Sequence, residues 1–337
     1  MSIKVAINGF GRIGRASLRS VLKSSNLKIK IAAINDLTEV KTLAHLFQYD
    51  SVFGKNEHKI SSQNNQLIVQ GNKIPVFSEK DPAKLPWKKL KIDLVLECTG
   101  FFRNKLGAEK HLQAGAQRVI ISAPPQGMGI PTFVLGVNEK KINFKKDLIL
   151  SNGSCTTNCL APVAKVLHHH FKIKQGLMTT IHSYTSNQNI LDAPHKDLRR
   201  ARAAAENIIP TTTGATQSVV AVIPELKGKL TGLAIRVPTP NVSLIDFVAL
   251  LEKTPSLLKV KEIFKNAAKE ELKGILDFTT EPLVSTDFIA NPFSAVIDFD
   301  LIEVKDKLVK IIAWYDNEYA YACRLVEMAD YLATNIK

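Results

Sequence analysis

Apolar and polar positions divide the chain into two textures. In the first, short apolar runs at 3–8 (IKVAIN), 29–36 (IKIAAIND), 92–97 (IDLVLE), 118–122 (RVIIS), 132–137 (TFVLGV) and 147–151 (DLILS) have the pattern of buried strands. Helical patterns such as RASLRSVLKSS and KLGAEKHLQAG lie between some of them. Strands that alternate with helices predict a parallel, doubly wound sheet. After residue 155 the β-like runs lengthen: 176–184, 230–238, 243–251, 294–304 and 308–315, with a hairpin turn in VKDKLVK. A helix fits 256–272, where Leu257, Leu258, Val260, Ile263 and Ala267 fall near helical spacing. This half reads as an antiparallel sheet covered by helices. The last segment places Ala322, Leu325, Val326, Ala329, Leu332 and Ile336 on one helical face.

Composition narrows the picture modestly. A chain of 337 residues can bury a substantial core and suggests two domains. At 45% hydrophobic and 23% charged it reads as an ordinary globular protein. The apolar runs fall short of a membrane span, and MSIKVAINGF enters a strand at once, so neither membrane nor signal peptide is expected. Four cysteines, Cys98, Cys155, Cys159 and Cys323, make no disulfide scaffold at this length, which points to a reducing, cytoplasmic setting. The formal charge of +14 raises the question of a nucleic-acid partner. The lysines are scattered and no aromatic–basic alternation accompanies them, so a basic surface attracting anionic substrates is the plainer reading. No metal site is expected: His168 to His170 are adjacent and diverge around a helix.

Chemistry enters at the turn after the first strand. Gly9, Gly11 and Gly14 form G-x-G-x-x-G between a strand and a helix. The first glycine permits a tight turn, the second lets a pyrophosphate approach the backbone, and the third lets helix and strand pack closely. The helix start offers N–H groups to phosphates. Asp36 ends the second strand, where a carboxylate can accept the ribose hydroxyls of NAD and repel a 2′-phosphate.

The second concentration of chemistry is SNGSCTTNCLAP, Ser151 to Pro162. If Cys155 opens a helix, the local positive potential favours its thiolate. Cys159, one turn deeper, reads as packing. Pro162 should kink that helix unless it lies near its start. Full ionisation of an ordinary thiol gains only ~30-fold, about 2 kcal/mol, at neutral pH. A proton acceptor, an oxyanion site and substrate anchors are therefore needed as well. His182 ends a strand and opens a polar loop, which makes it a candidate acceptor among eight histidines.

Taken together, INGFGRIGR, AIND, ECTGFF, SNGSCTTNCLAP, HSYTSNQ, PHKDLRRARAAAENIIPTTTGA, PELKGKLTGLAIRVPTPNVS and WYDNEYAY closely resemble the phosphorylating glyceraldehyde-3-phosphate dehydrogenases over nearly the whole chain. The resemblance implies an α/β fold: a Rossmann-type doubly wound parallel sheet plus an α+β catalytic domain with a large, mainly antiparallel sheet. It implies an NAD-binding domain at 1–154, completed by a C-terminal helix at about 318–337, and a catalytic domain at 155–317. Cys155 would attack the aldehyde to give a hemithioacetal. His182 would raise the thiolate fraction and take the hydroxyl proton as hydride leaves, and inorganic phosphate would then cleave the thioester. The backbone N–H of Cys155 would stabilise the oxyanion. Thr185, Arg236 and Arg200 (rather than Arg199) would hold the phosphate of glyceraldehyde 3-phosphate; Ser154, Thr156, Thr213 and Gly214 would hold the attacking phosphate. For NAD the match points to Gly9, Gly11, Arg12, Ile13 and Gly14 at the pyrophosphate, Asp36 at the adenosine ribose, Lys80 near the adenine, Ser122 along the chain and Asn317 at the carboxamide. It also implies a homotetramer, with the loop from His182 to about Asn207 near a neighbouring subunit's cofactor.

The sequence departs from the family pattern at several places. Gly153 and Ser183 stand where alanine is usual, Gln217 where lysine is common, Lys80 where arginine is usual, and Ala320 where glycine is frequent. Positive φ at Ala320 would be strained. Ala193-Pro194 is intermediate between NAD-specific and NADP-accepting patterns; Asp36 followed by Leu37 favours NAD. Two alternatives stand beside the main reading: an erythrose-4-phosphate dehydrogenase, which hydrolyses the thioester, and a basic nucleic-acid-binding protein. The intact Cys155/His182 set speaks against the second.

Overall fold

A computed structural model describes residues 2–335. The chain forms two compact units. One comprises the described residues through Phe133, then Lys140–Gly153 and the chain from Ala322; the other comprises Val134–Glu139 and Ser154–Tyr321.

The first unit is built on an eight-stranded sheet in the order Ile149–Ser151, Arg118–Ile121, Leu94–Glu97, Ile3–Asn8, Ile29–Asn35, Asn72–Phe77, Gln66–Val69, Ile60–Gln63. The first six run parallel, and the last two extend the edge as an antiparallel meander. Strands buried on both faces explain the unbroken apolar runs: Val5, Ala6, Ile7, Leu94, Val95, Leu96, Val119 and Ile120 are all fully buried. The meander had a local signature. Asn64 and Asn65, at φ 46° and 55°, turn the first hairpin, and Gln70 with Gly71, at φ 51° and 80°, turns the second. Paired positive φ angles are what tight two-residue hairpins require. Trp87 fills a pocket of this core against Ala33, Val95 and Ala116. The terminal helix Tyr319–Asn335 buries Ala322, Leu325, Val326, Ala329 and Leu332 as its spacing predicts; Ile336 lies outside the described residues. Ala320 falls inside this helix and is not among the residues at positive φ, so the strain foreseen there does not arise.

The second unit holds a seven-stranded sheet path in the order Ile209–Thr211, Leu230–Val237, Ile173–Ser183, Ser243–Leu251, Leu308–Tyr315, Ala295–Asp298, Leu276–Thr279, with Glu303–Lys305 also paired to Leu308–Tyr315. It is mainly antiparallel. Two pairs are parallel, Ile173–Ser183 with Leu230–Val237 and Leu276–Thr279 with Ala295–Asp298. The edge strand Ile209–Thr211 carries Pro210 at its centre. The helices Cys155–Phe171, Ala215–Val222 and Leu257–Lys269 supply Leu160, Val163, Leu167, Val219, Ile263 and Phe264 to one core with Phe247, Ile297 and Ile311.

Three local expectations change. The run 132–137 is no strand: Thr132 makes one bridge to Ser151, and the chain then turns, with Asn138 Oδ1 accepting from Val134 N at 2.8 Å. Gly136 sits there at φ 77°, where a Cβ would lie 2.6 Å from Leu272 Cδ2. The run 294–304 breaks into Ala295–Asp298, a 3-10 turn Phe299–Leu301 and Glu303–Lys305. The helix from Cys155 passes through Pro162 to Phe171. Pro162 removes one backbone donor there and is buried together with the apolar residues around it.

Phe264 is fully buried at the centre of the second core. Phe264→Ala should destabilise this unit by about 3–5 kcal/mol, read as a lowered urea midpoint; an unchanged midpoint would show that the helix Leu257–Lys269 adds little to that core.

Candidate active site

In the first unit the three glycines differ sterically. A Cβ on Gly9, at φ 91°, would lie 2.7 Å from Thr99 N; one on Gly14 would lie 2.1 Å from Gly9 O; one on Gly11 would meet nothing within 4 Å. Two are required by backbone against backbone, and the third leaves open space at a helix start whose N-cap makes no side-chain bond. That is the cradle a pyrophosphate needs. Asp36 is fixed beside it: Oδ2 accepts from Phe10 N at 2.7 Å and Oδ1 from Thr38 N at 2.9 Å. The Arg12 side chain turns to Asp50, at 2.6 Å. Lys80 is exposed, and Ser122 N donates to Glu97 O at 3.0 Å.

Beneath this turn lies a polar network that the sequence did not announce. Glu97 and His111 are buried and 2.9 Å apart. Asn8 Nδ2 donates to Glu97 at 2.5 Å, Trp87 Nε1 donates to His111 Nδ1 at 3.1 Å, and Thr99 N donates to Glu97 at 2.8 Å. The Trp87 bond makes Nδ1 an acceptor and leaves the His111 proton on Nε2, toward Glu97. The same carboxylate that satisfies the histidine thus fixes the Thr99 backbone against which Gly9 packs. The neighbouring Cys98 thiol is pushed up to about 12 by burial and then by Glu97.

In the second unit Cys155 is the first residue of its helix. Gly153, just before it, has φ 64°, a conformation that suits glycine better than the alanine usual there. Ser154 caps the helix, its Oγ accepting from Thr157 N at 3.1 Å. Cys155 is half-buried; Cys159, one turn on, is fully buried in the core. Cys155 Sγ lies 3.5 Å from His182 Nε2. His182 Nδ1 is 2.7 Å from Ser183 O, and Arg236 Nη1 is 2.9 Å from the same oxygen and 3.1 Å from Nδ1. Two donors cannot bond each other, so Nδ1–H and Arg236 both donate to Ser183 O. This leaves Nε2 bare toward the sulfur, the tautomer a proton acceptor needs.

Burial, followed by the adjacent Arg236, lowers His182 to about 3, so the ring is a neutral imidazole. Burial pushes the Cys155 thiol up, opposed first by Arg236 and then by the Thr156 hydroxyl and the N–H groups at the helix start. The helix-start potential foreseen from the sequence is present among the influences that oppose burial at the Cys155 thiol. Partial exposure of Cys155 tempers the burial effect and leaves the sulfur open to a substrate.

Around the pair sits an anion-receptive wall. Arg236 Nη1 also donates to Thr185 Oγ1 at 3.3 Å, while its buried Nε has no partner among the described residues. Arg200 donates to Thr211 Oγ1 at 2.8 Å and Thr212 O at 3.2 Å, and the two guanidiniums repel each other. Gly214 opens the helix Ala215–Val222 with no side-chain cap of its own, while Thr213 Oγ1 accepts from Ala215 N. Thr156 Oγ1 is committed to Tyr315 Oη at 2.8 Å, and Tyr315 also meets Thr180 Oγ1 at 2.9 Å and packs edge-on against His182. Sequence reasoning missed Tyr315; it lies in the quoted WYDNEYAY, but nothing local marks its role. Asn317 is buried, with Oδ1 held by Ser183 Oγ at 2.9 Å and Ser243 Oγ at 2.8 Å. Among the described residues no group of histidines, cysteines and carboxylates could hold a metal.

A dinucleotide-type parallel sheet and a thiol paired with an imidazole together define a class, the NAD-dependent oxidoreductases that use cysteine, and comparison with known proteins narrows it. Residues 3–105 match the family model of the glyceraldehyde 3-phosphate dehydrogenase NAD binding domain, and residues 154–317 that of the C-terminal domain. The chain is 54% identical to the glyceraldehyde-3-phosphate dehydrogenase of Geobacillus stearothermophilus over 99% of both chains. It is 54% identical to glyceraldehyde-3-phosphate dehydrogenase 1 of Bacillus subtilis (strain 168), and 49% identical to glyceraldehyde-3-phosphate dehydrogenase 2 of a Synechocystis species, again over 99% of each. The chain belongs to the glyceraldehyde-3-phosphate dehydrogenase family.

Gly14→Ala should destabilise the first unit by at least about 2 kcal/mol, since its Cβ would collide with a carbonyl that cannot withdraw. Chemical denaturation measures this, and a wild-type midpoint would mean the turn can shift.

Proposed function

We propose that the chain oxidises D-glyceraldehyde 3-phosphate to 1,3-bisphosphoglycerate with NAD and inorganic phosphate, a step of glycolysis and gluconeogenesis. The observation that carries this reading is the 3.5 Å separation of Cys155 Sγ and His182 Nε2, with the opposite ring nitrogen tied to Ser183 O. Cys155 attacks the aldehyde carbon as its proton passes to Nε2, and the new oxyanion meets the N–H of Cys155 at the helix start. Bound NAD supplies a hydride acceptor for the carbon. Nε2 returns the thiol proton to the oxyanion, giving the hemithioacetal hydroxyl, and takes it again as hydride leaves and the thioester forms. Inorganic phosphate then cleaves the thioester, which retains oxidation energy that hydrolysis would lose.

Arg236 supports the substrate-phosphate role: a half-buried guanidinium whose buried Nε lacks a partner among the described residues is costly until an anion arrives. Thr185 and Arg200 complete that set, and Ser154, Thr156, Thr213 and Gly214 form the set for the attacking phosphate. The Ser154 and Thr156 hydroxyls are already engaged, so these two contribute through remaining lone pairs or backbone N–H. In the first unit Gly9, Gly11, Arg12, Ile13 and Gly14 hold the pyrophosphate through backbone, with Asp36, Lys80 and Ser122 along the adenosine half; Asn317 in the second unit takes the carboxamide.

The assembly is a homotetramer in this reading. Ile190, Leu191 and Leu198 are 82%, 75% and 81% exposed on one polar loop, more apolar surface than such a segment needs in isolation. A free nucleophilic thiol is preserved best in a reducing compartment, which suits the cytoplasm; no helix among the described residues is long and apolar enough to cross a membrane.

Cys155→Ser should lower kcat for NADH formation by at least about 10³-fold, and His182→Asn by about 10²–10⁴-fold. Retained activity in the first would remove sulfur from the chemistry. Withholding phosphate should stop the wild type after a burst of about one NADH per site. Sustained turnover without phosphate would instead identify a hydrolytic enzyme of the erythrose-4-phosphate type.

A further inference from the structure

The Ser183 side chain adjoins the proposed base and has no role in the chemistry above. Its side chain faces away from His182. Ser183 Oγ donates to Asn317 Oδ1 at 2.9 Å, Ser243 Oγ donates to the same oxygen at 2.8 Å, and Ser183 N donates to Ser243 Oγ at 3.1 Å. All three residues are buried.

The consequence lies in which end of the Asn317 amide faces outward. Among the described residues neither hydroxyl has another acceptor. Reversing the amide would place NH₂ against both serines and orphan two buried hydroxyl protons, each costly. With both serines donating, Oδ1 is saturated and Nδ2–H is the end left for a ligand. An amide N–H is what a carboxamide oxygen requires, and a reversed Asn317 would offer it a second oxygen instead. One serine biases the amide; two fix it.

We infer that Ser183 is a positioning residue for cofactor recognition, locking the Asn317 amide with its N–H presented to the nicotinamide carboxamide. The inference rests on the proposed role of Asn317. It separates two duties within one residue. The Ser183 carbonyl sets the tautomer of His182, and its hydroxyl sets the amide that reads the cofactor, so a side-chain substitution alters only the second.

The test compares NAD with ADP-ribose, which lacks the nicotinamide, by calorimetric titration of the full chain. Ser183→Ala should weaken NAD binding about 3- to 10-fold, the range expected for one lost buried hydrogen bond, and leave ADP-ribose binding unchanged. In an Asn317→Ala background the same substitution should have no further effect on NAD. If Asn317→Ala weakens NAD relative to ADP-ribose and Ser183→Ala does not, the inference fails while the Asn317 reading stands. If neither changes the ratio, the Asn317 reading itself fails. Equal loss of both ligands would mark Ser183 as merely structural and overturn the inference. Should alanine pack poorly, Ser183→Cys fills the space with a slightly larger side chain, loses most donor strength, and must reproduce the selective loss of NAD.

Discussion

The second unit depends on one register. Strands Ile173–Ser183 and Leu230–Val237 run parallel with His182 opposite Arg236. Because side chains alternate faces along a strand, a slip of one residue would send either group to the other side of the sheet. Held as it is, the pair converges on a single carbonyl, that of Ser183. That oxygen fixes the imidazole tautomer, orients the guanidinium and turns the bare ring nitrogen to the sulfur. The cost is borne by His182, whose basicity is lowered first by burial and then by the cation beside it. A neutral ring that accepts a proton only briefly suits a cycle that must return it.

The first unit rests on a steric constraint of the same kind. Gly9 and Gly14 close on each other so tightly that any side chain would collide with backbone, and the buried Glu97–His111 pair stiffens the Thr99 segment against which the turn leans. Buried charges and polar groups are tolerated there because each finds a partner in Asn8, Trp87 or Thr99. The open space at Gly11 is what remains when those partners are fixed.

Much of this was legible in the sequence for physical reasons. Buried parallel strands write continuous apolar runs, and a glycine triplet between strand and helix has a steric meaning at each position. Cys155 at a helix start and His182 at a strand end could be read locally. Contacts between distant residues could not: Tyr315 meets Thr156 across 159 positions and Asn317 meets Ser183 across 134. The misread run at 132–137 has strand-like composition; Gly136 bends it because only hydrogen can face Leu272. Pro162 was weighed as a source of a kink on local propensity, and the helix runs on past it to Phe171. The thiolate expectation weighed the helix start without the desolvation that only a folded chain reveals.

Pro210, exposed at the middle of the three-residue outermost strand of the second sheet, bears on behaviour in crowded solution. A sheet's last strand is a template on which another chain can stack, and fibrous aggregates grow from such templates. A strand this short, with its central residue unable to donate a backbone proton, gives an incoming chain too little to hold. That border therefore offers a second chain little to stack on.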